Sequence, residues 1–131
     1  MNLLIHGLLL TISSSLYAAL SKIIIVVYYK IKMPVLYGEC GKPSLHFEAD
    51  AFNPNNNIVI EVEAGRAVTN YQFLKDFFES CCMDDADYLC IAVRLLYRKN
   101  DDYKKVCEFF DAMYASNKFS IPLKGILIIG Y

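Results

Sequence analysis

At 131 residues the chain is long enough for one domain with a full core and too short for two comfortable ones. Its apolar share of 56% is high, yet residues 1–32 hold only three charges, Lys22, Lys30 and Lys32, while all 14 acids lie beyond Met33 and leave residues 33–131 at −4. That balance argues against a generic nucleic-acid binder held by a basic surplus, although a cluster of metal-binding acids would account for about that much negative charge.

Residues 3–20 are apolar but interrupted by His6, Gly7 and a polar run at 11–15, and residues 23–29 are β-branched and aromatic, as in a buried strand. Three readings of residues 1–32 stand side by side: the first helix and strand of the domain, a membrane anchor, or sequence upstream of a start at Met33. The polar run is costly in lipid, and a strand at 23–29 would cover an edge of the hairpin that follows. One domain over residues 1–131 is therefore expected, with membrane insertion disfavoured.

Residues 45–52 alternate, with Leu45, Phe47, Ala49 and Ala51 on one face and His46, Glu48 and Asp50 on the other. Residues 53–57, NPNNN, are a turn by composition. Alternation resumes over residues 58–64, placing Ile58, Ile60 and Val62 on one face and Val59, Glu61 and Glu63 on the other. The two runs predict a β-hairpin. Thr69 with Gln72 reads as a capping box opening a helix whose apolar stripe is Leu74, Phe77, Phe78, Cys81 and Cys82, with Lys75, Asp76 and Glu79 outward. Residues 88–97 suit a strand buried on both faces. Asp101 or Asp102 caps a second helix with the stripe Tyr103, Val106, Cys107, Phe110, Met113 and Tyr114, and residues 124–131 close the chain as a strand. This order describes an α/β sandwich with a mixed sheet.

The five cysteines show no C-x-x-C pair and no zinc spacing, and their odd number does not suggest a disulfide framework. Cys81, Cys82, Cys90 and Cys107 fall in apolar patterns, as small buried hydrophobes do. A reducing, cytoplasmic compartment is expected.

Hairpin register decides whether the acids meet. With Asn53 opposite Ile58, Asp50 faces Glu61 and Glu48 faces Glu63, which keeps every aliphatic on one face and every acid on the other. Four carboxylates so placed need a cation, raised pKa values or abundant water. The oxygen-only donor set favours Mg²⁺ or Mn²⁺ over zinc. The bland alternative is a solvated face that happens to be acidic.

The segments F-E-A-D-A-F-N-P and I-V-I-E-V-E-A-G-R together resemble the PD-(D/E)xK nuclease superfamily, the restriction-endonuclease-like fold. The resemblance covers residues 45–97 and extends to the rest by element order. It implies a sandwich with a mixed central sheet flanked by helices, and Mg²⁺-dependent hydrolysis of DNA phosphodiester bonds. By that match Asp50 is the motif aspartate, Glu61 the motif acid, and Glu63 stands where the family has lysine. The three would hold the metal and carry catalysis. DNA is the implied partner, and a homodimer is compatible with it. The rival reading keeps the fold without catalysis, as a binding or scaffold protein tethered to a membrane through residues 1–32.

Supporting residues have two readings each. Glu48 is an outer-shell ligand or a surface acid. His46 is a ligand or base on the acidic face, or a strand-edge surface histidine. Arg66 binds the scissile phosphate bidentately, or is a solvated turn residue. Lys75 replaces the motif lysine, or pairs with Glu79 one turn on. Arg94, Arg98, Lys99, Lys104 and Lys105 form the densest basic group, which a phosphate backbone could follow or which is a solvated loop.

Overall fold

The structure, a computed structural model, describes residues 2–5, 8–11, 30–116 and 118–131. In chain order these form strands β1 (Asn2–Ile5), β2 (Leu8–Thr11), β3 (Ile31–Tyr37), β4 (Pro43–Ala49), β5 (Ala51–Asn53) and β6 (Ile58–Glu63), helix α1 (Gln72–Cys82), strand β7 (Tyr88–Val93), helix α2 (Asp102–Ala115) and strand β8 (Gly125–Gly130).

The runs IVIEVE, YLCIAV and GILIIG are the β-branched and apolar centre of the chain, and they lie side by side as the parallel strands β6, β7 and β8. Each new strand adds on the same side of the last. Right-handed crossovers then bring both connecting helices to the same face of the sheet. The main core sits there, where Val59, Leu89, Ile91 and Ile128 meet Phe73 and Phe77 of α1 and Val106 and Phe110 of α2. The Phe73–Phe110 and Phe77–Phe110 rings meet edge-on, with centroids 5.9 and 5.3 Å apart. On the opposite face a smaller cluster joins Cys90, Ala92 and Ile129 to Ile58, Ile60 and Val62. Strand β5 pairs antiparallel with β6, and β1 pairs antiparallel with β8, giving a mixed sheet in the order β2-β1-β8-β7-β6-β5. The α/β class with a mixed sheet is as expected. Strands β3 and β4 form a separate two-stranded ribbon that bends into β5 at Asp50.

Several local expectations are corrected. Within residues 3–20, Leu3–Ile5 and Leu8–Thr11 belong to strands rather than a helix, and β1 supplies the partner that the β8 edge would otherwise lack. The strand expected at 23–29 lies outside the described residues. Among the described residues no helix is long and apolar enough to cross a membrane. Strand β7 ends at Val93, earlier than residue 97. The buried side of α1 is Phe73, Asp76, Phe77 and Ser80, so Phe78 and Cys82 are exposed. That rotation seats Phe73 and Phe77 against α2 and carries Asp76 inward. The capping box at Thr69 does not form: Thr69–Tyr71 is a 3-10 turn, Asn70 and Tyr71 have φ of 59° and 54°, and the Gln72 side chain turns to Asp76. Asp101 does cap α2, accepting the Lys104 N–H at 2.9 Å.

Candidate functional site

The hairpin adopts the register its aliphatics require: Asn53 opposite Ile58, Phe52 opposite Val59, Ala51 opposite Ile60. The ladder stops at Ala51, but Asp50 remains tied to β6 because its Oδ2 accepts the Val62 N–H at 2.8 Å. Glu61 and Glu63 flank Val62 on the strand and share the face of Val59. That face lies beneath α1, so the two glutamates are only 5% and 6% exposed.

A fourth acid comes from the helix. Asp76 is 7% exposed. Its Oδ1 accepts from Gln72 Nε2 at 3.0 Å, one helical turn away, and its carboxyl group hydrogen-bonds the Glu63 side chain. Two carboxyls can share such a bond only if one is protonated. Burial first, then the charges of Asp76 and Asp50, raise Glu61 from 4.5 to about 8, with Lys30 giving the smallest opposing pull. Burial, the bond to Asp76 and the charges of Asp76, Glu61 and Asp50 raise Glu63 to about 9. Glu63 therefore keeps its proton near neutrality. Its Oε1 is buried and has no hydrogen-bond partner among the described residues.

Asp50, Glu61 and Glu63 lie within reach of one another's charges, though not at the spacing of a metal cage, and Asp76 and Gln72, which the register argument left out, stand beside them. Their signal was present: residues 73, 76, 77 and 80 lie on one helical face, with two phenylalanines and a serine around the acid. Glu48 is not opposite Glu63. The bend at Asp50 takes β4 out of the main sheet, so Glu48 lies opposite Lys32 in the ribbon and is exposed. His46 lies opposite Pro34 in the same ribbon, also exposed, and is not part of the acidic group. Arg66 is exposed and shares with Glu63 and Gln72 the wall of a groove of about 540 Å³. Lys75 pairs with Glu79 at 3.0 Å. Burial lowers its pKa, but Glu79 and the fields of Asp76 and Glu61 leave it raised overall.

Among the described residues no three His, Cys, Asp or Glu side chains stand close enough to cage an ion as they are. Asp50 and Asp76 each give one oxygen to a protein donor. The chemistry of the donor set nevertheless fits a hard cation, because every candidate ligand atom is a carboxyl oxygen and Glu63 Oε1 has no partner among the described residues. Comparison of the chain with protein-family models, curated proteins and solved structures finds no match.

Proposed function

We propose that the protein is a divalent-metal-dependent phosphodiesterase acting on DNA, of the restriction-endonuclease-like kind that its motif residues resemble. The observation that carries this reading is the convergence of Asp50, Glu61, Glu63 and Asp76 beneath α1, beside a groove bearing Arg66. Acids buried together oppose folding unless protons or a cation offset them. Asp50, Glu61 and Glu63 would hold Mg²⁺ or Mn²⁺, which when bound polarises a phosphodiester and lowers the pKa of water. The Val62 N–H fixes Asp50, and Gln72 fixes Asp76. Glu63, at the motif lysine position, would be a further ligand or take the proton of an attacking water once the cation has displaced its own proton. Arg66 offers a planar fork to a phosphate in the groove.

Calorimetric titration with Mn²⁺ tests the site. Asp50→Ala is expected to weaken binding at least tenfold, and Glu48→Ala to leave it unchanged. Equally weak binding by the wild type and both variants would sink the assignment. The rival, a nuclease-fold scaffold without catalysis, draws support from the lack of a ready cage among the described residues. It predicts no cleavage of supercoiled plasmid in Mg²⁺ or Mn²⁺ at any protein concentration.

A further inference from the structure

A second feature stands beside the acids. Beyond Val93 the chain doubles back, and Tyr97 and Asn100 exchange N–H···O bonds of 2.9 Å in both directions. Arg98 and Lys99 are thus the two central residues of a tight hairpin, with φ of 49° and 69°. Two-residue hairpins favour this pair of left-handed positions, and Asn-Gly is the sequence that fills them without strain. A long cationic side chain at both is an unfavourable choice for the turn itself. Strain of this kind is kept where the side chains have another use.

The hairpin is braced against the carboxyl site. Gly65, two residues after Glu63, has φ of +126°, and a Cβ there would meet Tyr97 Cε2 at 2.6 Å, so the Tyr97 ring lies directly on the backbone that leaves β6. Leu95 N–H bonds Tyr131 O at 2.8 Å, and the Tyr131 hydroxyl donates to Glu63 O at 3.0 Å. Within the wider basic group, Lys104 pairs with Glu108 at 3.8 Å and Lys105 donates to Asn100 at 3.4 Å. Arg66, Arg98 and Lys99 are exposed and, among the described residues, in no ion pair. The groove beside Glu63 shares Arg66, Thr69 and Tyr97 with a second one of about 370 Å³ that reaches Arg98 and Asn100. One lane therefore runs from Glu63 past Arg66 to Arg98, and Lys99 is the next residue of the same turn.

We propose that this hairpin is a phosphate clamp: Arg66, Arg98 and Lys99 hold backbone phosphates of DNA flanking the one presented to the carboxyl group site. The assignment of the carboxyl end rests on the phosphodiesterase reading, but the clamp itself needs no metal. Arg98 lies over the Tyr97 ring at 5.2 Å, which leaves its N–H groups open to an anion. Cations without a carboxylate partner, gathered along and beside one lane on a body with an acidic surplus, localise a polyanion where a uniform charge would not.

The double variant Arg98→Asn/Lys99→Gly installs the favoured turn and removes both charges. Its melting temperature should rise, while its affinity for a fluorescein-labelled duplex oligonucleotide, read by anisotropy in EDTA, should fall at least tenfold. The slope of log affinity against log salt should shrink by about two. Arg98→Gln/Lys99→Gln keeps side chains in the strained turn and should lose affinity equally without the thermal gain. Unchanged affinity in both variants, or no duplex binding by the wild type, overturns the clamp. Cleavage by the wild type in Mn²⁺ is scored on the same preparations. Cleavage with undiminished binding by both variants removes the clamp alone; clamp-dependent binding without cleavage upholds the clamp and removes the phosphodiesterase.

Discussion

Strands β4 and β6 carry the same alternation of acidic and apolar residues, and the fold treats their acids in opposite ways. In β4, Glu48 faces solvent from a two-stranded ribbon, while Ala49 beside it is fully buried. In β6, Glu61 and Glu63 face the core, while Ile58, Ile60 and Val62 are only half-buried on the far side. Alternation fixes which residues share a face, because side chains switch sides at every residue. What covers each face depends on the neighbours. Strand β6 lies between β5 and β7 with helix α1 packed over one face, so apolar content cannot by itself say which face is the more deeply buried.

The largest consequence is a dependence of stability on pH. Folding raises Glu61 from 4.5 to about 8 and Glu63 to about 9. Between those limits the native state keeps protons that the unfolded chain releases, so stability falls as pH rises. Their contribution is full below about 4.5 and is lost as pH climbs through 8 to 9. In EDTA, urea unfolding at pH 5 and pH 9 should differ by several kcal/mol, on the order expected for shifts of this size. Glu63→Gln should flatten part of that slope and leave stability at pH 8 equal or higher. A loss above roughly 2 kcal/mol would instead reveal a specific buried contact made by Glu63.

A smaller effect isolates the helix's share. Asp76→Asn keeps an acceptor for Gln72 and removes one charge next to Glu63. In EDTA at pH 8 the variant should gain about 1 kcal/mol, and the Glu63 carboxyl, followed by ¹³C NMR, should release its proton at lower pH. An unmoved Glu63 titration would assign its shift to burial and the charges of Glu61 and Asp50, with no share from Asp76.

Much of this was legible in the chain. The Asn53–Ile58 register follows from local pattern, as do the strands read at 88–97 and 124–131, which form at Tyr88–Val93 and Gly125–Gly130; turn chemistry narrows the cap of α2 to Asp101 or Asp102, and Asp101 makes it. The register expects Asp50 opposite Glu61, but the ladder ends at Ala51 and Asp50 reaches β6 through its side chain, at the Val62 N–H. Two things were not legible. The apolar stripe of α1 can be drawn through Phe77 with either Leu74 and Phe78 or Phe73 and Ser80, and only packing against Phe110 selects the second. The break at Asp50 was hidden because the residues on either side continue one alternation, although they belong to different sheets. Asp76 was missed for the first reason and Glu48 misplaced for the second.

The smallest effect tests β4 directly. Glu48 lies opposite Lys32, both exposed, in a ribbon with one open face. An opposed pair of unlike charges on such a surface contributes about 0.5 kcal/mol, because water screens the attraction and long side chains lose entropy on pairing. Glu48→Ala should therefore change stability at pH 7 by no more than about 0.5 kcal/mol, and a double-mutant cycle with Lys32→Ala should give a coupling no larger. Raising the salt to 1 M should erase it, since the Debye length then falls to about 3 Å. A coupling of about 2 kcal/mol that survives salt would mean that Glu48 is shielded from water, and the contrast between the two strands would fail at its simpler end.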